Sequence, residues 1–282
     1  MTDLLSKPTR RIDIGEVMNR TFGAIGANFP VYFVLSLLLA GIPGVLIVLG
    51  MTIGLPALFG QMDAQTYAIV VALVALAAGL LSLLPSYILI GAITHGSMVH
   101  FNKGRSSFGE CFATGLRLAI PLICLGIVSA IGYFLWFLLL VIPAILAMTR
   151  WAVIVPAMVV DRTGVFESFR RSADLTRDNR WRVFLLGLLY MVISSLISGA
   201  VNFAGLILVG GMSNLGDPSS YAGDPYAMAN YTTIGGWVML ALQILYTAIN
   251  TMIVAAGTSA LYYELRVMKE GATSNDLAKV FE

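Results

Sequence analysis

Charged residues are scarce in this sequence. Asp, Glu, Lys and Arg account for 11% of its 282 residues and hydrophobic residues for 58%, whereas a soluble domain has about 25% charged residues. The mean hydropathy is correspondingly high, at +0.86. This composition excludes a soluble globular domain, and a net charge of only +2 offers no basic surface for nucleic acid. We therefore predict an all-α integral membrane protein.

Residue patterns typical of catalysis and metal binding are also missing. The two cysteines have neither CxxC nor metal-ligand spacing, and there is no GxSxG, HExxH or phosphate-binding glycine motif. The histidines, His95 and His100, are five residues apart and so lie on different faces of a helix. They would form a metal site with Glu110 only if the loop folded back, and we expect two interfacial histidines instead. We predict no enzymatic activity, no cofactor and no metal site.

Six hydrophobic segments are long enough to cross a hydrocarbon core of about 30 Å at about 1.5 Å per residue. The third and fourth come from one apolar run, residues 118–160, which we divide near Ile142 and Pro143. Pro43 and Pro85 lie inside the first two spans and predict kinks there. The spans run from about residue 30 to 53, 67 to 93, 118 to 142, 144 to 160, 183 to 208 and 234 to 262.

Lys and Arg residues avoid alternate loops. The loops at about 56–66 and 210–233 contain none, and apart from Arg150 every Lys and Arg lies in the N-terminal segment, the second and fourth loops or the tail. The positive-inside rule then places both termini in the cytoplasm of a bacterial inner membrane. A single crossing by residues 118–160 would put the arginine-rich fourth loop opposite the N-terminus, so we predict two crossings.

Three amphipathic segments on the predicted cytoplasmic side begin near Ile14, Phe108 and Val165. Each precedes a pair of spans. We therefore predict six transmembrane helices as three hairpins, each preceded by a cytoplasmic interfacial amphipathic helix. The repeat-like units cover about residues 12–95, 107–160 and 164–265 of a single membrane domain, residues 1–282, with a cytoplasmic tail at 266–282.

Each amphipathic segment carries a glutamate in the same register. Three equivalent glutamates suggest a shared ion or proton site, but helix capping is the reading we favour. Asp13 and Ser107 each begin a capping box, and Gly164 can serve as a third N-cap. The glutamates are Glu16, Glu110 and Glu167.

The third amphipathic segment is the most basic part of the chain, with six arginines between Arg162 and Arg182. Such a helix lies in the headgroup plane with its apolar face in the acyl boundary and its arginines toward phosphates. Helical spacing predicts an apolar face of Val165, Phe166, Phe169, Ala173 and Thr176. We predict headgroup contacts from Arg170, Arg171, Arg177, Arg180 and Arg182, with Trp181 anchoring at the interface.

Polar residues inside the spans form a second candidate site. Arg150 is predicted about 9 Å below the outer end of the fourth span, where it binds an anionic group. Alternatively, the fourth span is short and broken at Pro156, and Arg150 snorkels outward along Trp151. Polar stripes on the fifth and sixth spans suggest a pocket, although hydrogen bonds between packed helices are the favoured reading. The stripes consist of Tyr190, Ser194, Ser198 and Asn202, and of Gln243, Thr247 and Asn250.

Two segments resemble the bacterial membrane-domain family named after glycerophosphoryl diester phosphodiesterases. They are residues 167–184, ESFRRSADLTRDNRWRVF, and residues 258–271, TSALYYELRVMKEG. The resemblance implies six helices, a bacterial inner membrane and a connection to lipid. Some members of that family carry a soluble phosphodiesterase barrel, for which these 282 residues have no room. Its activity is therefore not expected here, and the resemblance supplies no catalytic residues.

These observations predict a non-enzymatic protein that engages anionic phospholipid headgroups in lipid handling or membrane organisation. One alternative is a transporter of small solutes or lipids with a polar intramembrane pocket around Arg150. Another is a scaffold or accessory subunit of a larger membrane complex. Protein partners or a homo-oligomer are compatible with each hypothesis.

Overall fold

The computed structural model describes residues 12–102, 104–139, 141–210 and 234–271. Within these ranges the chain is entirely helical and turn, with no strand, and six helical segments are long and apolar enough to cross a membrane. These findings confirm the predicted all-α class and indicate a multi-pass membrane protein. The predicted loop at 210–233 and most of the predicted tail fall outside the described residues.

The first membrane segment, Ile14–Phe59, is helical throughout but irregular. Helix α1 is kinked at Asn28, where φ is −116° and ψ is 16°, two residues before Pro30. This kink separates the predicted interfacial helix from the predicted first span. The segment consists of α1 (Ile14–Ser36), a π-helical turn (Leu37–Gly41), α2 (Ile42–Leu49), a second π-helical turn (Gly50–Gly54) and α3 (Leu55–Phe59).

The next two helices are longer than the predicted spans. Helix α4 (Ala64–Phe101) continues past residue 93 and includes both histidines. Helix α5 (Phe108–Leu139) is continuous, with Pro121 accommodated inside it. The prediction of a separate second interfacial helix is therefore wrong, because the amphipathic segment at residue 108 forms the first turns of α5 and no break precedes the apolar run.

The fourth segment consists of two short helices. Helix α6 (Val141–Arg150) begins close to the predicted division at Ile142 and Pro143, and α7 (Ile154–Asp161) follows a turn at residues 151–153. Three further helices complete the described chain. They are α8 (Val165–Thr176), whose N-cap is Gly164 as predicted, α9 (Arg180–Gly210) and α10 (Ile234–Glu270).

The chain forms two compact units. The first comprises residues 1–32, 87–190 and 252–282 and the second residues 33–86 and 191–251. In the first unit, α4 and α5 approach closely at Gly91 and Gly115, where a Cβ atom on Gly115 would overlap the carbonyl oxygen of Ile88. In the second unit, Ser194 on α9 donates a hydrogen bond of 2.7 Å to the amide oxygen of Asn250 on α10.

Large apolar side chains are exposed along the membrane segments, as expected where lipid is the solvent. Leu81 is 76% exposed, Ile120 72% and Leu196 69%. Most polar side chains on these segments instead hydrogen-bond to the carbonyl four residues earlier in their own helix, as Thr52 does with Val48 at 2.8 Å. Such side chains need no hydrogen-bond partner on a neighbouring helix.

Candidate functional site

The turn between α6 and α7 is the feature that positions α8. At residues 151–153 the helix is interrupted, so the carbonyl of Arg150 and the amide of Val153 lack their helical partners. Ser172 on α8 satisfies both groups: its hydroxyl donates to the Arg150 carbonyl at 2.8 Å and accepts from the Val153 amide at 3.3 Å. Thr176 adds a longer hydrogen bond of 3.4 Å to the same carbonyl. The turn at residues 151–153 is therefore stabilised by α8, and the same hydrogen bonds hold α8 in place.

Aromatic contacts surround the same turn. The ring of Trp151 lies 5.1 Å from that of Tyr133 on α5 and 5.0 Å, edge to face, from that of Phe169 on α8. Leu122 and Leu125 of α5 pack beneath these rings with apolar residues of α7. Helix α8 is thus held against α5, α6 and α7 and does not lie free on a lipid surface.

The side of α8 that faces the protein carries hydroxyl groups. The fully or nearly fully buried residues of α8 are Ser168, Ser172, Leu175 and Thr176, whereas Phe166 is 77% exposed. The predicted apolar face was expected to point into the acyl boundary, and the exposure of Phe166 is compatible with that position. Hydroxyl groups at intervals of four residues face the protein because they satisfy the broken backbone of the neighbouring helix.

Arg171 belongs to a closed ring of four charges. Its Nε donates to Asp161 at 2.9 Å and its Nη2 pairs with Glu270; Arg266 in turn pairs with Asp161 at 3.1 Å and with Glu270 at 3.0 Å. Burial alone would favour the neutral form of Arg171, but its hydrogen bonds and charge attraction to the two carboxylates raise the pKa of the guanidinium. The ring joins the end of α7 to α8 and to the last turns of α10.

The turn between α8 and α9 is tied to two other parts of the chain. Arg182 donates to the backbone carbonyl of Ile12, and the Asn179 side chain accepts from the amide of the same residue at 3.4 Å. Lys269 on α10 pairs with Asp178 at 3.0 Å. That pairing lowers the pKa of the Asp178 carboxyl. Arg171 and Arg182, both predicted headgroup contacts, therefore have protein partners.

The other three predicted arginines have none of these partners. In the described part of the chain, no ion pair involves Arg170, Arg177 or Arg180, and the first two are exposed. Arg170 lies one turn after Phe166 and Arg177 two turns after Arg170, so the three side chains share one outward stripe. Trp181, predicted as the interfacial anchor, is 70% exposed and stacks on Phe184 at 5.4 Å.

An apolar groove of about 350 Å³ lies between α6 and the start of α9. Arg180 contributes to it, and the Nε of that arginine is buried without a hydrogen-bond partner among the described residues. The hydroxyl of Thr149, the other polar group, is satisfied by the carbonyl of Leu146 at 2.9 Å. The groove is lined by Ile145, Leu146, Thr149, Arg180, Trp181 and Phe184.

Arg150 is the last residue of α6, and its side chain is exposed. Its backbone carbonyl lies against α8 through Ser172, so this arginine is adjacent to the arginine-rich helix. The turn at residues 151–153 directly follows Arg150 and places this residue next to α8. Its predicted depth in the fourth span stays a prediction.

The predicted intramembrane stripe divides between the two units. Tyr190 belongs to the first unit and its hydroxyl is hydrogen-bonded to that of Thr21 at 2.8 Å. In the second unit Ser194 bonds to Asn250, while Asn202 and Thr247 bond only within their own helices, to Ser198 and Gln243. An open groove of about 440 Å³ is lined by Met191, Ser194, Ser195, Ser198, Gly199, Asn202 and Tyr246.

The three glutamates in equal register have separate partners. Glu110 forms the predicted capping box, accepting from the Ser107 amide at 2.9 Å, while the Glu110 amide donates to the Ser107 hydroxyl at 3.3 Å. Glu16 pairs with Arg20 at 3.0 Å and Glu167 is exposed. The described residues include no cluster of three metal-binding side chains, so the three glutamates do not meet at one place.

Several residues of this region were missed by the sequence analysis. Asp161, Arg266 and Glu270 complete the charge ring, and their only sequence signal was the spacing of four residues between the last two. Ser168 and Ser172 were detectable, since together with Thr176, which the sequence analysis did name, they are hydroxyl residues at intervals of four and mark one helical face. Ile145 and Leu146 carry no signal that separates them from other apolar residues of the membrane segments.

The comparisons with known proteins give a family and no function. No curated protein and no solved structure matches the chain. A family model described as a domain of unknown function, DUF7847, matches residues 81–265. This range contains nearly all of the site described above, including the turn at 151–153, α8 and the groove beside Arg180. The chain belongs to the DUF7847 family of domains of unknown function.

Proposed function

We propose that this chain is a non-enzymatic bacterial inner-membrane protein that binds anionic phospholipid headgroups in lipid handling or membrane organisation. Both termini are cytoplasmic in this proposal, because the Lys and Arg residues collect on that side. The resemblance to the membrane-domain family named after glycerophosphoryl diester phosphodiesterases agrees with a connection to lipid.

One observation carries the proposal: the exposed stripe of Phe166, Arg170 and Arg177, with Trp181 beyond it. An exposed aromatic residue beside unpaired guanidinium groups suits the boundary between headgroups and acyl chains. Each arginine near an anionic surface contributes about 1 kcal/mol, which is roughly fivefold in affinity. Arg171 and Arg182 have a structural role, since both are engaged by protein groups.

Lipid selectivity of the purified protein tests this proposal. Protein in mild detergent is mixed with equal amounts of phosphatidylglycerol and phosphatidylcholine, and the bound lipids are counted by native mass spectrometry. We expect phosphatidylglycerol to be preferred. Replacing Arg170, Arg177 and Arg180 together by Gln should reduce that preference by about a hundredfold, which corresponds to the sum of three contributions of about 1 kcal/mol.

The matched control removes the same charge elsewhere. Arg105, Arg117 and Arg162 are also exposed, and their replacement by Gln should leave most of the preference intact. An equal loss in both triple variants would mean that net charge, and not this face, selects the lipid. Indifference of the unmodified protein to lipid charge would remove the proposal altogether.

A second candidate function, passage of a small solute or a lipid, is favoured by the open polar groove on α9 and α10. Its polar side chains include Ser198 and Asn202, and an exposed polar face in a membrane helix needs a wet or polar neighbour. Scrambling of a fluorescent phosphatidylglycerol in proteoliposomes measures it. Asn202→Leu and Arg150→Ala should each abolish scrambling, and an unchanged rate in both variants would reject this function.

A further inference from the structure

The groove between α6 and α9 combines an apolar lining with a single unsatisfied polar group. Ile145, Leu146 and Phe184 provide apolar surface, and the Thr149 hydroxyl is already bonded within its helix. Arg180 is the one ionised residue among those that line the groove, and no ion pair involves it within the described residues. Its Nε also lacks a hydrogen-bond partner there. The charge of Arg180 therefore has no carboxylate partner from the described protein.

The acceptor that fits Arg180 is an anion. A guanidinium prefers phosphate or carboxylate oxygens, which it binds through two parallel hydrogen bonds. Arg180 is also the first residue of α9, a helix of 31 residues, and the positive end of the helix dipole favours an anion there. The charge at this end of the groove is therefore complementary to a phosphate group.

The remainder of the groove fits a hydrocarbon chain. Its volume of about 350 Å³ is at the lower end of the range for ligand pockets, about 300–1,000 Å³, which suits one acyl chain and not a complete two-chain lipid. Phe184 lies four residues beyond Arg180, about 6 Å along the helix. Trp181, at the rim, is exposed and stacks on Phe184, as is common for tryptophan at the level of the headgroups.

From these observations we propose that this groove binds one acyl chain of an anionic phospholipid, whose phosphate is held by Arg180. This inference rests on the proposed function and adds to it a defined site, a stoichiometry of one and a lipid class. Arg170 and Arg177 then contact the surrounding headgroups, while Arg180 holds an individual lipid molecule.

Photocrosslinking in nanodiscs tests the site. The probe is phosphatidylglycerol with a diazirine in one acyl chain, and the crosslinked residues are mapped by peptide mass spectrometry. We expect crosslinks concentrated at Ile145, Leu146 and Phe184. Arg180→Gln should reduce them about fivefold, the loss expected for about 1 kcal/mol, whereas Arg180→Lys should retain a large part of the signal.

A pair of tryptophan variants separates the groove from the rest of the lipid-facing surface. Leu146→Trp fills the groove and should abolish the crosslinks at Phe184. Met148→Trp is the matched control, because Met148 is on the same helix, is similarly exposed at 57% compared with 50% for Leu146, and does not line the groove. It should leave the crosslinks unchanged.

The outcomes distinguish this inference from the proposed function. Selectivity for phosphatidylglycerol with crosslinks spread evenly over exposed apolar residues would overturn the groove site and leave the proposed function standing. Equal crosslinking of the groove by phosphatidylcholine and phosphatidylglycerol probes would overturn the selectivity of the groove for anionic lipid. Because both lipids carry a phosphate, the phosphate role of Arg180 is tested separately, and crosslinks that do not change in Arg180→Gln would overturn it. Crosslinks at Phe184 that survive Leu146→Trp would also overturn the groove site.

Discussion

The hydroxyl of Ser172 bridges a broken helix, since it donates to the Arg150 carbonyl at 2.8 Å and accepts from the Val153 amide at 3.3 Å. Without this hydroxyl the Val153 amide would lose its hydrogen bond, and the Arg150 carbonyl would keep only the longer one from Thr176, at 3.4 Å. One side chain on α8 thus stabilises the turn between α6 and α7, and the remaining features of the site depend on that turn.

Ser172→Ala should therefore destabilise the protein by about 1–2 kcal/mol, the cost of leaving buried backbone groups unsatisfied. Ser172→Thr retains the hydroxyl, so its loss of stability should be smaller than that of Ser172→Ala. Thermal unfolding in detergent measures the effect, with Ser195→Ala as a control because Ser195 is exposed. Equal melting temperatures for Ser172→Ala and the control would contradict this role of the hydroxyl.

Asp161 accepts from two arginines of the charge ring, Arg171 and Arg266. Asp161→Asn leaves both cations without that partner, and we expect a loss of about 1–3 kcal/mol. The double variant Asp161→Asn with Arg171→Gln should recover part of this loss, since one unpaired charge is removed. A double variant as unstable as the sum of the two single variants would show that these residues act independently.

The ion pair of Asp178 and Lys269 predicts a pH dependence. The pairing lowers the folded-state pKa of Asp178. The ion pair therefore contributes its full stabilisation above the ordinary aspartate pKa of about 3.9, and this stabilisation is lost as the pH falls through the lowered pKa. The melting temperature of Asp178→Asn should therefore lie below that of the unmodified protein at pH 7 and converge with it at strongly acidic pH. Asp174→Asn, in which the replaced carboxylate has no ion pair within the described ranges, should show no such convergence.

Because α4 and α5 approach closely at Gly115, we expect a larger side chain at this position to destabilise the protein strongly. A Cβ atom there would overlap the backbone carbonyl of Ile88, which cannot move without shifting the helix. Gly115→Leu should cost more than about 3 kcal/mol and reduce the yield of monodisperse protein. Gly109, on the same helix, has open space around it, so Gly109→Ala should be neutral or stabilising by up to about 1 kcal/mol.

Some residues of the polar stripe on α9 and α10 form hydrogen bonds between the two helices, and others bond within their own helix. Asn250→Leu removes the interhelical hydrogen bond to Ser194 and should cost about 0.6 kcal/mol, with an upper limit near 1.7. Asn202→Leu removes only a bond within one helix and should leave stability nearly unchanged. If Asn202→Leu were the more destabilising of the two, the amide of Asn202 would have a packing role that its present contacts do not explain.

Composition and hydropathy were sufficient to predict the class of the protein and the number of membrane segments. The scarcity of charge and the length of each apolar run are properties of the sequence alone, and they determined where the chain crosses. Pro156 was the one sequence signal for a break inside the fourth segment, because a proline clashes with the carbonyl four residues earlier, here that of Ala152. The contact that stabilises the turn was not predictable, since it is a hydroxyl from a helix that follows the turn in sequence.

The site was predicted only in part, because its contacts join residues that are distant in sequence. Helical spacing located the basic segment and the exposed Trp181, yet it could not tell Arg171 from Arg170. These neighbours differ in what they face: Arg171 meets Asp161 and Glu270, which are distant in sequence, whereas Arg170 is exposed. The periodicity also did not show that the side of α8 facing the protein carries hydroxyl groups, because the broken backbone that they satisfy belongs to another helix.

The two π-helical turns of the first membrane segment have a consequence for how its length can vary. A turn with i→i+5 hydrogen bonds accommodates one residue more than an α-helical turn, so Leu37–Gly41 and Gly50–Gly54 each resemble an inserted residue within an otherwise α-helical segment. Removing one residue from either turn would restore regular α-helix without opening the chain. We therefore expect relatives with single-residue deletions to differ at these turns, whereas α5 and α8, whose side chains meet several partners in fixed register, should keep their lengths.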